Sequence, residues 1–583
     1  MVASPNGAAT MTTKSKQNRK GQPNSRSYAI IVVVFVSLIV FMYTMTRRKM
    51  PFSTSIVHNL LGKDPKVLHA ITWNIAAINN NPFEYWITNK DGNYNRLMSD
   101  VSAFIDNPGD NDILVKEIFT ERMFDDLEES MTAAGWSGIM ETRKKWESEY
   151  RDRKIISGFI KDSLLGKKRL ASMPDRVTNT INTVSGDVVM RPSVINCYNA
   201  GDLSTIDAWW VQWRNFMFQT EITVRKHGAE KTIRVSDMIS KIKRSKYPSI
   251  TAEEEEISIP LQMLCAAIFD AILVDMMNKI GNQVWQPMRE DICNKLNRRK
   301  NDRTIEILET SYGSADIQFL QEVASSFAET AKTKALSNMF EVHYPSTMDS
   351  DRDQNSFILL KKGKFRDVSE VTTEVLEQLD SSKQVPIANG DLLAVTCIGA
   401  EDGTKYLLAS FHGDTNGLAT VPIVAAMHKY AISKRPDHIL LFGMDANTYN
   451  KPESDQQGMV QFAEFYRSMK LNSCYGLTPD PENFTTFHAR THLQPQLNKA
   501  VRLEDKDKYG DKNPKDFIVF FQSDFTVLET VKDNTGERKY VENMVFPTLT
   551  FPSDHGITST VLQEHRAYNS GNPAENQNNL RST

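Results

Sequence analysis

Eight polar residues of this chain stand where short apolar runs end. Asn74 follows "ITW", Glu322 follows "FLQ" and His412 follows "LASF". Asp445 and Asn447 close "LLFGMDAN", Asp516 opens "DFIVFF", and Asp554-His555 precede "GITSTV". One polar residue at a strand end is ordinary turn chemistry. Eight of them, all carboxylate, carboxamide or imidazole, form a set with chemical content. Carboxylate oxygen from Glu322 and Asp554, with neutral oxygen from Asn74, suits a hard divalent cation such as Mg²⁺. The imidazoles of His412 and His555 suit proton transfer or charge stabilisation on a phosphoryl oxygen. Asp445 beside a water is a candidate general base. Asn447 lies two positions on, hence on the same side of an extended chain, and can donate to phosphate or hold the water. The chain has no GxxxxGK[ST] loop and no nucleophile elbow, which argues against P-loop NTPases and acyl-transfer hydrolases.

The elements that must carry these residues are strands. "KVLHAITWNIAAI" (66–78), "ADIQFLQEV" (315–323), "SFILLKKGKF" (356–365), "DLLAVTCIG" (391–399), "KYLLASFHG" (405–413), "HILLFGMDA" (438–446), "DFIVFFQSD" (516–524) and "HGITSTVLQ" (555–563) are apolar and rich in β-branched residues. Helical spacing returns at "VPIVAAMHKYAISK" (421–434). Strands alternating with helices make a layered α/β domain, in which ligand sites form where strand ends converge. Residues 81–311 read differently, as a mostly helical region. Its most apolar stretch, 257–280, is interrupted by Asp270 and Asp275 and reads as a buried helix rather than a membrane span. Trp209, Trp210 and Trp213 read as core.

The chain has 583 residues, 40% hydrophobic and 24% charged, with 69 Lys+Arg against 72 Asp+Glu. No basic excess advertises a nucleic-acid partner. The five cysteines form no CxxC pair and read as buried free thiols. Residues 1–27 are acid-free and polar and read as a disordered basic tail. Residues 28–46 open with "YAIIVVVFVSLIVFMYTM", which has no charge and is long enough to cross a bilayer. Arg47, Arg48 and Lys49 follow in place of a small-residue cleavage site, so the span reads as an uncleaved single-pass anchor. Basic residues are balanced on its two flanks, which leaves the side of the membrane undecided; the sequon at Asn483 would suit a lumenal domain. Residues 566–583 read as a flexible tail.

In this order, "TWN", "DIQFLQEV", "SFH", "GMDAN", "KDFIVF" and "SDH" resemble the endonuclease/exonuclease/phosphatase superfamily, the DNase I-like fold. The resemblance covers 66–80 and 312–565 and says nothing of 81–311. It implies a four-layer sandwich of two β-sheets flanked by helices, interrupted here by a mostly helical insertion. It implies Glu322 as the main metal ligand, with Asn74 beside metal and phosphate and Asp554 completing the metal's surroundings. It implies His412 on the scissile phosphate, Asp445 on the attacking water, Asn447 on the phosphate, and His555 facing phosphate while Asp516 orients it. Thr486 and Arg490 would lie near substrate. Asn355 would stand where relatives often place an acid for the first histidine. The cofactor implied is Mg²⁺ or Mn²⁺, and the activity is phosphoester hydrolysis. The substrate class stays open among nucleic acid, phospholipid headgroup and inositol phosphate, and nothing points to oligomerisation. A rival acid, Glu117 in "NDILVKEIF", has the wrong spacing and helical flanks. His488 and His492 in "FHARTH" read as surface histidines. Two other readings are an inactive sandwich serving as a membrane-bound scaffold, and a chain whose function lies in partners of the helical insertion.

Overall fold

A computed structural model describes residues 66–565 except 77–79, 227–228, 349–353, 383, 496 and 498–499. The chain divides into two units, Met1–Asp64 and Pro65–Thr583, and the described residues belong to the second. The basic tail, the apolar span at 28–46 and the tail at 566–583 lie outside the described residues.

Twelve strands build two six-stranded sheets. In chain order they are β1 Val67–Asn74, β2 Ile317–Val323, β3 Phe340–His343, β4 Asn355–Lys361, β5 Phe365–Glu370, β6 Leu392–Gly399, β7 Lys405–His412, β8 Ile439–Asp445, β9 Leu471–Ser473, β10 Asp516–Phe521, β11 Phe525–Asp533 and β12 Ile557–Glu564. The first sheet runs β11-β12-β1-β2-β4-β3 and the second β9-β10-β8-β7-β6-β5. β1 with β2 and β7 with β8 are parallel pairs; the other pairings are antiparallel.

Both faces of the central strands are covered, which is why their sequences are near-continuous apolar runs. Strand alternation sorts the side chains. On β8, Leu440, Phe442 and Met444 turn outward onto helices Thr420–Lys434 and Met459–Ser468. Leu441 turns inward and meets Leu68, Ala70, Phe319 and Ile518 between the sheets. Gly443 shares that inward side, where a Cβ would come within 2.4 Å of Phe319. The close approach explains a glycine two positions before Asp445. The other outer layer packs Ile71, Trp73, Leu320 and Phe357 against helices Lys300–Thr310 and Ser326–Lys332. Helix, sheet, sheet, helix is the four-layer α/β sandwich.

Among the described residues, no strand from 81–311 joins either six-stranded sheet; two short hairpins there form two-stranded sheets of their own. This region has its own core, built on α1 Gly92–Asp106, α2 Glu121–Ala133, α3 Ser172–Thr178, α4 Ile206–Gln219 and α5 Ser258–Cys293. Trp209, Trp210 and Trp213 sit in that core. Ser258–Gly281 of α5 is long and apolar enough to cross a membrane, and 89% of its most apolar window is buried within the protein. Asp270 on α5 is fully buried and compensated by Arg191 (2.7 Å), Ser193 Oγ (2.7 Å) and Trp213 Nε1 (2.8 Å), as a buried charge requires.

Two findings correct the sequence reading. Cys197 and Cys293 form a disulfide with Cα atoms 5.5 Å apart, while Cys265, Cys397 and Cys474 are free and buried. The partners are 96 positions apart and meet only through the tertiary fold, so no local spacing announces them. The helix Lys300–Thr310, here α6, packs Ile305, Ile307 and Leu308 into the sandwich's outer layer rather than into the insertion's core. The two ends of the helical region meet earlier, where Asn297 Nδ2 donates to Asn80 Oδ1 at 2.9 Å.

Candidate active site

The inward-facing positions of four strands end on polar residues at the same edge of the sandwich. After Leu68, Ala70 and Thr72 comes Asn74; after Leu408 and Ser410 comes His412; after Leu441 and Gly443 comes Asp445; and Asp516 precedes Ile518 and Phe520. Register brings them level, since His412 pairs with Asp445 and Asp445 with Asp516 on neighbouring strands. Glu322 has the opposite parity. The β2–β4 register shifts between Leu320 and Val323, and Glu322 adopts a left-handed φ of 52°. That irregularity turns its carboxylate into the cleft. Asn447 (φ 47°) and Ala76 (φ 47°) are also left-handed, so three non-glycine residues in this conformation border one cleft, where such strain tends to gather.

Asn74 lies at the centre. Its Nδ2 donates to Asp445 Oδ2 (2.9 Å) and Glu322 Oε1 (3.2 Å), while its Oδ1 accepts from Ala76 N (2.8 Å). So arranged, Asn74 holds the two acids in place while its own oxygen accepts from the backbone. His412 Nε2 is 3.2 Å from Glu322 Oε1 and 3.7 Å from Asp445 Oδ2. Gln354 Nε2 donates to Glu322 Oε2 at 3.0 Å. Asp445 Oδ1 accepts from Asn447 N at 2.8 Å.

His555 Nδ1 is 3.0 Å from Asp516 Oδ2, and its Nε2 is 3.6 Å from Asp445 Oδ2. Burial opposes a charge on this ring, but Asp516 and Asp445 outweigh it and raise the pKa to about 10. Burial likewise opposes ionisation of Asp445; His555, His412 and Lys515 prevail and hold its carboxyl below the ordinary value. Asp554 accepts from the Tyr85 hydroxyl at 3.0 Å. Against its own burial, His555, His488 and that hydroxyl hold it at about 2.

One ligand atom from each of Glu322, His412 and Asp445 lies within 4.8 Å of the others, and Asp554 lines the same cleft. Carboxylate oxygens with room for water fit a hard divalent cation. A second trio, Asp445, Asp516 and His555, is equally close, but Asp516 and His555 are committed to each other.

Four further residues that the sequence reading did not place at the site border the cleft. Lys515 is buried, donates to Asn447 Oδ1 at 3.3 Å and lies 3.7 Å from Asp511. His488 is buried rather than on the surface, 3.1 Å from Asp511 and 3.8 Å from Asp554. Tyr85 anchors Asp554, and Lys300 donates to the Ala76 carbonyl. Burial lowers the Lys300 pKa to about 8, against the pull of Asp554 and Glu322. Lys515 was the most accessible to inspection, being next to Asp516. Tyr85 and Lys300 depend on partners hundreds of positions away, and His488 on Asp511 and Asp554, which lie beyond its own strand.

Arg490 lines the cleft as expected. Thr486 and Asn355 do not. Thr486 is buried in a two-stranded pairing with Asp511–Asn513 and donates to the Asn513 carbonyl (3.3 Å); its neighbour Thr485 instead accepts from the Asp516 N–H (3.1 Å) and so supports the site from beneath. Asn355 is buried and donates to the Val323 carbonyl at 3.2 Å, bracing the irregular β2 end that carries Glu322. Glu117 is spent on the Leu114 N–H (2.8 Å) in a short 3-10 turn and does not line the cleft.

Residues 112–290, within the helical region, match a family profile described as "Domain of unknown function (DUF8234)". No curated protein matches the chain. Among solved structures, the catalytic domain of human Nocturnin is similar at 13% identity and a TM-score of 0.31, over 47% of this chain and 89% of that one. TDP2 of D. rerio, complexed with single-strand DNA product, is similar at 14% and 0.30, over 45% and 90%. An endonuclease/exonuclease/phosphatase from Bacteroides vulgatus is similar at 12% and 0.30, over 47% and 94%. Two six-stranded sheets packed face to face with helices outside both give the sandwich a DNase I-like fold.

Proposed function

We propose that this chain is a divalent-metal-dependent phosphoester hydrolase. The observation that carries the reading is one chain of polar contacts running Glu322–His412–Asp445–His555–Asp516 across the ends of both sheets. Glu322, with Asp554 across the cleft, would hold Mg²⁺ or Mn²⁺, which when bound neutralises charge on a phosphoryl group. The chain's own residues do the rest. Asp445, kept ionised by the cations around it, accepts a proton of the attacking water and orients it. His412 and Asn447 hold the phosphoryl oxygens. His555 stays protonated at neutral pH because Asp516 occupies its Nδ1, and so directs a charged Nε2–H at the phosphate. Lys515 adds a buried positive charge beside Asn447.

We read residues 28–46 as a membrane anchor and 66–80 with about 300–565 as the catalytic sandwich, interrupted by the helical insertion. The Cys197–Cys293 disulfide supports an oxidising compartment for the catalytic body.

The test is hydrolysis of bis(p-nitrophenyl) phosphate by the purified full chain in detergent, with and without Mg²⁺ or Mn²⁺. Activity is expected to need the metal and to fall at least about 100-fold in Glu322→Gln, the order of loss when a metal environment is disturbed. Metal-independent turnover, or a fully active Glu322→Gln, refutes the proposal.

A further inference from the structure

The helical insertion contains a cavity of about 1120 Å³ that abuts the catalytic cleft; Asn80, Arg176, Cys197, Asn297 and Gln354 line both. Its other walls come almost entirely from the insertion. Three carboxamides face it from three separate stretches: Asn182 on a short hairpin strand, Asn199 on the loop after the disulfide cysteine, and Asn215 on α4. Arg176 on α3 stands at the neck. None of these four side chains makes a hydrogen bond or ion pair with a described residue. Phe216 and Tyr198 add ring surface.

The lining selects for a kind of ligand. Among the described residues no carboxylate borders the cavity, so none of them calls for a cation there. Of the described arginines that line it, Arg298 is already paired with Glu290 at 2.5 Å, which leaves Arg176 at the neck for an anion. Carboxamides offer a donor and an acceptor each and no charge. An acyl chain would strip water from three of them without replacing its hydrogen bonds, which is costly. A neutral ring bearing several hydrogen-bonding groups satisfies them and can lie against Phe216.

We propose that this cavity is a second substrate pocket: it takes the neutral, hydrogen-bond-rich ring of a small phosphoester whose phosphate lies in the catalytic cleft, and Arg176 meets the phosphate side of the link. This rests on the phosphoesterase reading for the cleft and assigns the insertion the choice of substrate. A nucleoside and a cyclic polyol share the chemistry required. Gln354, which lines both spaces and donates to Glu322, joins the two halves of the site.

The experiment uses the full chain and does not depend on turnover. Saturation-transfer NMR with adenosine and, separately, with myo-inositol reads binding of the ring alone. At least one probe is expected to bind, to lose its signal in the triple variant Asn182→Ala/Asn199→Ala/Asn215→Ala, and to keep it in Arg176→Gln. A response to adenosine marks a nucleoside pocket and a response to inositol a polyol pocket. The three asparagines are exposed, and an unchanged thermal melt confirms that the triple variant folds. In hydrolysis, kcat/KM for the phosphodiester of the binding ring should fall at least about 10-fold in the triple variant, two or three hydrogen bonds at the modest net worth of each. That for bis(p-nitrophenyl) phosphate should hold. Binding of neither ring, or binding that survives the triple variant, overturns the proposal. If bis(p-nitrophenyl) phosphate is not hydrolysed at all, the hydrolase reading falls, and the NMR result still decides the pocket.

Discussion

Asp516→Asn removes the charge that holds His555 protonated and keeps the oxygen that receives its Nδ1–H. The wild-type ring, at about 10, is charged essentially throughout the neutral range. Without the main raising influence, burial pulls it down toward its ordinary 6.5, with Asp445 and Asp554 still opposing; a ring at 6.5 sets the scale of the effect. At pH 7.5 only about a tenth of the variant's rings would then be charged. If the cationic ring is what faces the phosphate, kcat/KM should fall about 10-fold at pH 7.5 and about 100-fold at pH 8.5, and recover most of its value near pH 5.5. The direction follows from a raised folded pKa: the contribution of His555 is fully present below 6.5 and is lost as pH rises through about 10. In the variant that loss moves down toward 6.5. The assay is the pH profile of kcat/KM for wild type and variant at saturating Mg²⁺, and the diagnostic is their ratio. A ratio flat across pH 5.5–8.5 would refute the reasoning even if activity fell, because it would make Asp516 a spatial support rather than an electrostatic one.

Other expectations follow from packing and charge. Gly443→Ala should destabilise the chain by about 1–3 kcal/mol, the cost of overpacking, because the new methyl meets the Phe319 ring; thermal unfolding reads it, and a neutral effect would mean that the sheets separate easily there. Arg191→Met strands the buried Asp270 charge and should cost about 3–5 kcal/mol in urea unfolding, whereas replacing both partners with apolar residues should cost much less. Cys197→Ser should lower stability by about 2–5 kcal/mol, and the wild type under reductant should match it; a reductant-insensitive wild type would mean that the thiols are not joined.

The sandwich was legible because its chemistry obeys a period of two. Asn74, His412, Asp445 and Asp516 continue the inward-facing rows of their strands, so apolar alternation and motif order identify them together. Glu322 was picked out as one more polar strand end, but how it reaches the cleft was not legible: it does so through a bulge and a left-handed backbone, neither of which its neighbours announce. Thr486 was misread for the same reason, since one step along a strand moves a side chain to the other face. His488 looked like a surface residue because "FHARTH" is locally polar, and its burial comes from Asp511, Asp554 and Tyr85. The boundary near 300 was hidden because α6 has the same helical texture as the insertion before it; only its packing onto the sheet separates them.

The parallel pairing of β1 with β2 sets a folding order. Ala70 must find Ile317 across 247 positions, and Val67 must find Gln563 near the far end of the chain. Against a connection of about 30 residues, closing so long a loop adds roughly 2 kcal/mol of chain entropy. The insertion removes much of that obstacle once it has folded around its own largely local contacts, because Asn80 and Asn297 are then neighbours and the open span shrinks to a few residues and one helix. β1 leaves the ribosome first and still waits for β12, which leaves among the last. The cleft, built on the end of β1, therefore cannot be completed before β12 has been made, and any chain truncated before residue 557 leaves that central strand without one of its two partners.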